Sequence, residues 1–216
     1  MKGSFREAKA AVYKMRGVIL VVSGPAGSGK GTVCKLLRDS GDFVLSVSRT
    51  TRAPRPGEVN GVDYITYTHD EFRQAVMDGE MLEYTEYCGN FYGTPKAPVL
   101  ECLNSGKDML LEIEVEGAKQ IKRAFPEAVL VMLLPPSYDV QCQRLVDRGT
   151  ETREVIERRL SGTREELRAL DIYDYVIYNY DDGQERAADD FLAIVRAEKK
   201  SLRRRKDVYK RYFGDE

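Results

Sequence analysis

The chain of 216 residues has a single histidine, four cysteines, no tryptophan and almost no net charge. Each scarcity excludes something. His69 stands alone in the polar run Thr68-His69-Asp70-Glu71, so a histidine metal site lacks a second ligand, and a surface or helix-cap place is expected. Cys34, Cys88, Cys102 and Cys142 form no C-x-x-C pair. That removes the common zinc spacings and leaves reduced thiols in a cytoplasmic protein as the expectation. The formal net charge of -1 denies the chain a global basic field. Nucleic acid is therefore disfavoured as a partner, and any polyanion site must be local. No run approaches about 18 consecutive apolar residues, so no membrane helix is expected. Met1 to Arg16 is basic and has no apolar stretch of the secretory kind.

What is present reads as one soluble globular domain, since 42% of residues are hydrophobic and 32% charged. Val18–Ser23, Met109–Ile113 and Val129–Leu134 are short apolar runs that predict buried strands. Phe43–Ser48, Met81–Tyr87 and Tyr175–Tyr178 predict further strands, and β propensity returns at Tyr64–Tyr67. Helices are predicted from Lys30 to Ser40, Asp70 to Asp78, Pro95 to Asn104 and Gly117 to Ala124. Others follow from Tyr138 to Arg148, Arg153 to Asp171 and, as one long C-terminal helix, Gln184 to Tyr209. Asn90 to Thr94 reads as a turn. Strands alternating with helices imply a parallel α/β core, and the turn-rich stretch 48–96 reads as an inserted lobe.

Gly24-Pro25-Ala26-Gly27-Ser28-Gly29-Lys30 fits the spacing G-x-x-x-x-G-K between a predicted strand and a predicted helix. Glycines in such a loop let successive N–H groups face a phosphate, the helix N-terminus adds its dipole, and Lys30 adds a mobile charge. Gly31 follows the lysine, so the first hydroxyl comes one residue later, at Thr32. Metal ligation by a side chain at position 31 is thereby excluded, and Thr32 or water is left to serve.

A second dense feature is Ser48-Arg49-Thr50-Thr51-Arg52-Ala53-Pro54-Arg55-Pro56-Gly57-Glu58. Three guanidinium groups in one turn suggest a separate anion site, although a solvated basic loop has the same composition. Glu112 and Glu114 end an apolar strand, where α/β proteins bind ligands, and alternation puts them on one face.

From about residue 17 to 196 the chain resembles the guanylate kinase family. The resemblance rests on the phosphate loop, the arginine turn, Gly61-Val62-Asp63-Tyr64, Glu83, Gly89-Asn90-Phe91-Tyr92-Gly93-Thr94, Leu111-Glu112-Ile113-Glu114, Pro135-Pro136-Ser137 and Arg148-Gly149-Thr150-Glu151-Thr152. It implies a parallel P-loop NTPase-type sheet flanked by helices, with a mixed GMP-binding lobe and a helical lid. The implied reaction is phosphoryl transfer from ATP to GMP, with dGMP a second acceptor and Mg²⁺ as cofactor. The implied divisions are an extension at 1–16 and a kinase domain at 17–216. Within that domain the core covers about 17–47, 97–141 and 160–216, the lobe 48–96 and the lid 142–159.

By the same resemblance, the loop from Gly24 to Thr32 and, more weakly, Asn179 bind ATP. Arg52, Arg55, Tyr64 and Tyr92 hold the GMP phosphate. Glu83 reads guanine, with Ser48 and Thr94 as hydroxyls around the base, and Glu114 lies near GMP. Lys30, Arg55, Arg148 and Arg159 act on the transferred group, with Arg144 a third arginine from the lid. Thr32, or Glu112 through water, is implied near the metal. The chain departs from the family where Glu112 and Glu114 replace commoner aspartates and Glu116 a commoner glutamine. Two other readings stay open at this level: a kinase of another small phosphate ester, and a non-catalytic binding module of the same fold.

Phe5, Ala8, Val12 and Met15 have helical spacing, which suits a short helix packed on the core or on a neighbouring subunit of a homo-oligomer. Lys199 to Lys206 is a basic run, expected as a solvated face of the last helix.

Overall fold

The computed structural model describes residues 17–55, 57–87, 89–147, 152–206 and 208–214. The expected N-terminal helix, Cys88, and Arg148 with its neighbours to 151 lie outside them. Five strands form the central sheet: β1 (Ile19–Ser23), β2 (Phe43–Leu45), β7 (Asp108–Glu112), β8 (Val129–Leu134) and β9 (Tyr175–Tyr178). Their order is β2-β7-β1-β8-β9, and every pairing is parallel.

Strand alternation explains why β1 carries no polar face. Val18, Leu20 and Val22 pack on one side, against Val33 and Leu37 of α1 (Lys30–Asp39) and Phe191 and Val195 of α7 (Gln184–Glu198). Ile19 and Val21 point to the other side. There they meet Val99 and Leu103 of α3 (Lys96–Asn104) and Ala118 and Ile121 of α4 (Val115–Ala124). With helices on both faces, the carboxyl ends of β1 and β7 open onto a crevice.

A second sheet, ordered β4-β3-β6-β5, is built from β3 (Arg49–Thr50), β4 (Ile65–Thr66), β5 (Met81–Tyr87) and β6 (Asn90–Pro95). Beside it lies α2 (His69–Met77), whose Phe72 stacks on Phe91 at 5.4 Å. Thr68 and Glu71 close a reciprocal capping box there, so Thr68 is the cap and His69 the first helical residue. Gln120 of α4 fastens this sheet to the core. Its Nε2 donates to the Tyr84 carbonyl at 2.7 Å, and its Oε1 accepts from the Tyr84 N–H at 3.2 Å.

Three sequence expectations change. Asn90–Thr94 is strand, not turn, because β6 is paired on both sides, with β5 and β3; tertiary pairing outweighs the local preference of Asn and Gly. The helix expected from Arg153 to Asp171 ends at Leu167 as α6 (Arg153–Leu167), followed by a 3₁₀ turn at Leu170–Ile172. The helix expected to reach Tyr209 ends at Glu198, and a short α8 (Val208–Phe213) follows.

The cause of that last break is electrostatic. Glu198 is 5% exposed and accepts from Tyr175 Oη at 2.7 Å and Arg203 Nη2 at 2.9 Å, with Arg204 Nε at 3.4 Å. Lys199 pairs with the buried Asp108 at 2.5 Å. The basic run thus folds back to neutralise two buried acids instead of forming a solvated helix face. No helix among the described residues is long and apolar enough to cross a membrane. The remaining pair, α5 (Tyr138–Asp147) and α6, stands over the crevice.

Candidate active site

A cleft of about 680 Å³ runs from the glycine loop to the second sheet. The loop joins β1 to α1, and its shape requires glycine. Gly29 has φ 87°, and an added Cβ would lie 2.3 Å from Asn179 Nδ2.

For N–H groups to face a phosphate, the carbonyls must face away and find donors there. Three side chains supply them. Gln141 Nε2 donates to the Ala26 carbonyl at 2.8 Å, Arg144 Nη1 to that of Gly27 at 3.4 Å, and Asn179 Nδ2 to that of Ser28 at 2.8 Å. Asn179, expected beside adenine, is 1% exposed behind the loop and is absent from the cleft wall. Gly24 also lies off the wall, whereas Pro25 to Thr32 line it. Arg144, expected to reach the transferred group, lines the cleft but is tied at 2.7 Å to Asp181 and at 2.8 Å to the Asn179 carbonyl.

Lys30 opens α1, donates to the Gly24 carbonyl and stands 4.0 Å from Glu114. Glu112, Glu114 and Glu166 line the same part of the cleft. Glu112 is open to the cleft yet crowded by its walls, which push its carboxyl upward against the pull of Lys30. Burial, and then the charge of Glu114, push Glu166 up to about 7. Glu116, by contrast, is exposed and pairs with Lys119 at 2.6 Å.

In the arginine turn the three guanidinium groups separate. Arg49 leaves the cleft to pair with Glu80 at 2.7 Å and to lie 4.9 Å from the Tyr67 ring centre. Arg52 and Arg55 line the cleft. Glu58 orders them: both its oxygens accept from Arg52 Nη2, at 2.8 and 2.9 Å, and one accepts the Arg55 N–H at 2.8 Å. Arg52 also lies 5.3 Å from the Tyr64 ring centre, and Tyr64 meets Tyr92 edge-on at 6.2 Å. Two cations and two phenols therefore face one small volume, suited to a phosphate dianion. Ser48 and Thr85 complete that end.

Glu83 lines the cleft and is buried, 3% exposed. It sits opposite Thr94 in the β5–β6 ladder, and Thr94 Oγ1 donates to its Oε1 at 2.6 Å. Burial pushes its carboxyl up to about 7, against the hydrogen bonds from Thr94. Thr94, expected around the base, is fully buried and off the cleft wall; its hydroxyl instead orients Glu83.

Space for Glu83 comes from Gly117 of α4, where an added Cβ would lie 2.4 Å from Glu83 Oε2. Gly117→Ala should therefore displace the carboxylate while leaving the glycine loop intact. We expect affinity for a ligand that reaches Glu83 to fall on the order of tenfold or more, because a misplaced hydrogen-bonding group loses affinity. Affinity for a phosphate ligand at the glycine loop should stay within about twofold. Equilibrium binding measured at each end of the cleft checks this.

Arg159 of α6 lines the cleft opposite the loop, whereas Arg148 lies outside the described residues. Glu58, Gly117, Gln141 and Glu166 were not singled out from the sequence. Glu58 had a local signal, standing three residues after Arg55 in the same turn; the other three had none.

Two anion sites in one cleft, one at a helix N-terminus and one at an arginine turn, with a buried carboxylate beyond the second, make the layout of a P-loop nucleotide kinase. The comparisons with known proteins refine this: the guanylate kinase family model matches residues 15–197, and the chain belongs to that family. It is 46% identical over 206 residues to a guanylate kinase of Clostridioides difficile (strain 630), covering 95% of this chain and 100% of that one. It is 50% identical over 187 residues to a guanylate kinase of Bacillus subtilis (strain 168), covering 86% and 91%. The crystal structure of guanylate kinase from Anaplasma phagocytophilum superimposes with a TM-score of 0.75 at 34% identity, covering 94% of this chain and 98% of that one.

Proposed function

We propose that the chain transfers the γ-phosphoryl group of ATP to GMP, giving ADP and GDP, with dGMP as a second acceptor. The observation that carries this is Glu83, a buried carboxylate at the far end of the cleft that begins at the phosphate loop. Guanine presents N1–H and N2–H₂ side by side, and an ionised carboxylate accepts both. Adenine presents no such pair, so it would leave Glu83 buried with Thr94 alone and its remaining acceptor capacity unmatched.

The remaining roles rest on the residues that line the cleft and, for Arg148, on the family resemblance alone. The loop N–H groups and Lys30 bind the β- and γ-phosphates of ATP. Arg52, Arg55, Tyr64 and Tyr92 hold the GMP phosphate, whose oxygen is already an anionic nucleophile and needs no general base. Arg55, Arg159 and Arg148 offset charge on the transferred group. Residues 48–96 act as the GMP lobe, and 142–159 as a lid that excludes water.

Among the described residues no group of three or more His, Cys, Asp or Glu side chains could cage a metal. Thr32 and Glu112 do line the cleft beside Lys30. That sparse oxygen set fits Mg²⁺, which keeps waters and is shared with substrate phosphates. Thr32, or Glu112 through water, would hold it, and its chemistry would be to screen charge on the phosphate oxygens.

A purely binding module would have no use for Lys30, Arg55 and Arg159 facing one cleft. The test is product identification: ATP labelled at the γ-phosphorus, incubated with GMP and Mg²⁺, should yield labelled GDP and unlabelled ADP in equal amounts. Label appearing in inorganic phosphate alone would overturn the proposal.

A further inference from the structure

Gln141 is 1% exposed on α5, where Leu145 is the other buried residue. A side-chain amide in such a place costs desolvation unless each polar group is matched. Here both N–H groups are used. Nε2 donates to the Ala26 carbonyl of the phosphate loop at 2.8 Å and to Thr163 Oγ1 of α6 at 2.8 Å. Thr163 is 5% exposed, and its hydroxyl donates in turn to the Arg159 carbonyl one turn back, at 3.5 Å. An unbroken chain of hydrogen bonds thus runs from the loop that holds the donor phosphates to the backbone of an arginine facing the same cleft.

The packing around the chain is close. A Cβ added at Gly27 would lie 3.2 Å from the Gln141 carbonyl and 3.4 Å from its Cγ. An apolar side chain of the same volume would fill this space but leave the Ala26 carbonyl and the Thr163 hydroxyl without the amide, and it would accept any sliding of α6 along α5. A matched amide accepts one register only.

We infer that Gln141 and Thr163 are a positioning pair: they fix α6 against the phosphate loop, so that Arg159 stands at a set place relative to the transferred phosphoryl group. Neither touches substrate. The inference rests on the phosphoryl-transfer function proposed above. It adds two residues whose effect belongs to the transition state, because Arg159 matters most as charge develops there.

The test uses the full chain and four variants: Gln141→Leu, Thr163→Val, Thr163→Ser and the double Gln141→Leu/Thr163→Val. Thermal unfolding and steady-state kinetics with GMP are measured for each. Gln141→Leu and Thr163→Val should each lower kcat on the order of tenfold, since small misplacement of a charge-stabilising group costs rate. The KM for GMP should stay within about twofold, because the arginine turn and Glu83 are untouched. The double variant should be no slower than Gln141→Leu alone, as both break one chain. Thr163→Ser, which keeps the hydroxyl, should hold kcat within about twofold of the parent.

Folded variants with undiminished kcat would overturn the inference, even with a lowered melting temperature, because they would show a packing role only. So would a Thr163→Ser variant as slow as Thr163→Val. Should Gln141→Leu fail to fold, the Thr163→Val and Thr163→Ser pair decides alone. Parental turnover of GMP is the control: its absence would overturn the function and this inference together, whereas parental turnover with unchanged variants would overturn this inference only.

Discussion

Lys30→Ala should lower kcat by about 10³-fold, the loss typical of removing one preorganised charge from a transition state. The geometry makes this the largest single effect. Lys30 is the first residue of α1, at the point where the loop N–H groups and the helix dipole converge. Its ammonium faces Glu114 at 4.0 Å, with Glu112 and Glu166 on the same walls. Without it, three acids would surround a polyphosphate with no nearby fixed cation from the loop, so the KM for ATP should rise as well. The fold should survive: Lys30 lines the cleft outside the hydrophobic core, and its side chain donates only to the Gly24 carbonyl among the described hydrogen bonds. Circular dichroism and a melting temperature within a few degrees of the parent would separate lost chemistry from lost structure. Lys30→Arg should not restore the rate, since a planar fork cannot replace a compact, mobile point charge.

Glu83→Gln should lower kcat/KM for GMP by about 10²-fold, because one acceptor oxygen becomes a donor facing a donor. Activity on AMP should change far less, so the preference between the two collapses. The pH dependence has a definite sign. In the empty cleft the carboxyl of Glu83 is pushed up to about 7. Guanine needs the ionised form, so the KM for GMP should rise about tenfold for each pH unit below about 7; Glu83→Gln should remove this dependence.

Stability runs the opposite way. The folded carboxyl lies above its unfolded value of 4.5, so the folded state holds the proton between those two values. The group's contribution is most favourable below about 4.5 and is lost as pH rises through about 7. At pH 8 the ionised, buried carboxylate costs on the order of 3 kcal/mol. The empty Glu83→Gln protein should accordingly melt higher than the parent at pH 8 and close to it at pH 5.

Some of this was legible in the sequence because it is local. The glycine loop is seven consecutive residues between a strand and a helix, and its purpose shows in their order. The arginine turn was legible as a density of charge, but not as a geometry. Nothing in Ser48–Arg55 says that Arg49 turns away to Glu80 while Glu58 returns to organise Arg52 and Arg55. Glu83 by itself looks like any strand carboxylate; its function depends on burial against α4, more than thirty residues further on.

The same physics accounts for what was missed or misplaced. Gln141 and Arg144 come from α5 and Asn179 from the end of β9, yet together they hold three consecutive carbonyls of one loop. No spacing along the chain encodes that convergence. Gly117 is silent in sequence because its purpose is an absent Cβ 2.4 Å from Glu83. The family resemblance placed the Thr94 hydroxyl beside the base, whereas it donates to the buried Glu83. The C-terminal basic run looked solvated because its buried partners, Asp108 and Glu198, appear as ordinary surface acids until the chain folds.

The most direct test of the central claim is a coupled assay of ADP formation with ATP, Mg²⁺ and, in turn, GMP, AMP, CMP and UMP, comparing kcat/KM. If Glu83 reads the acceptor base as proposed, GMP should exceed each of the others by about 10³-fold or more, as expected of a site built to hydrogen-bond one base. Equal turnover of AMP, or none of GMP, would contradict it.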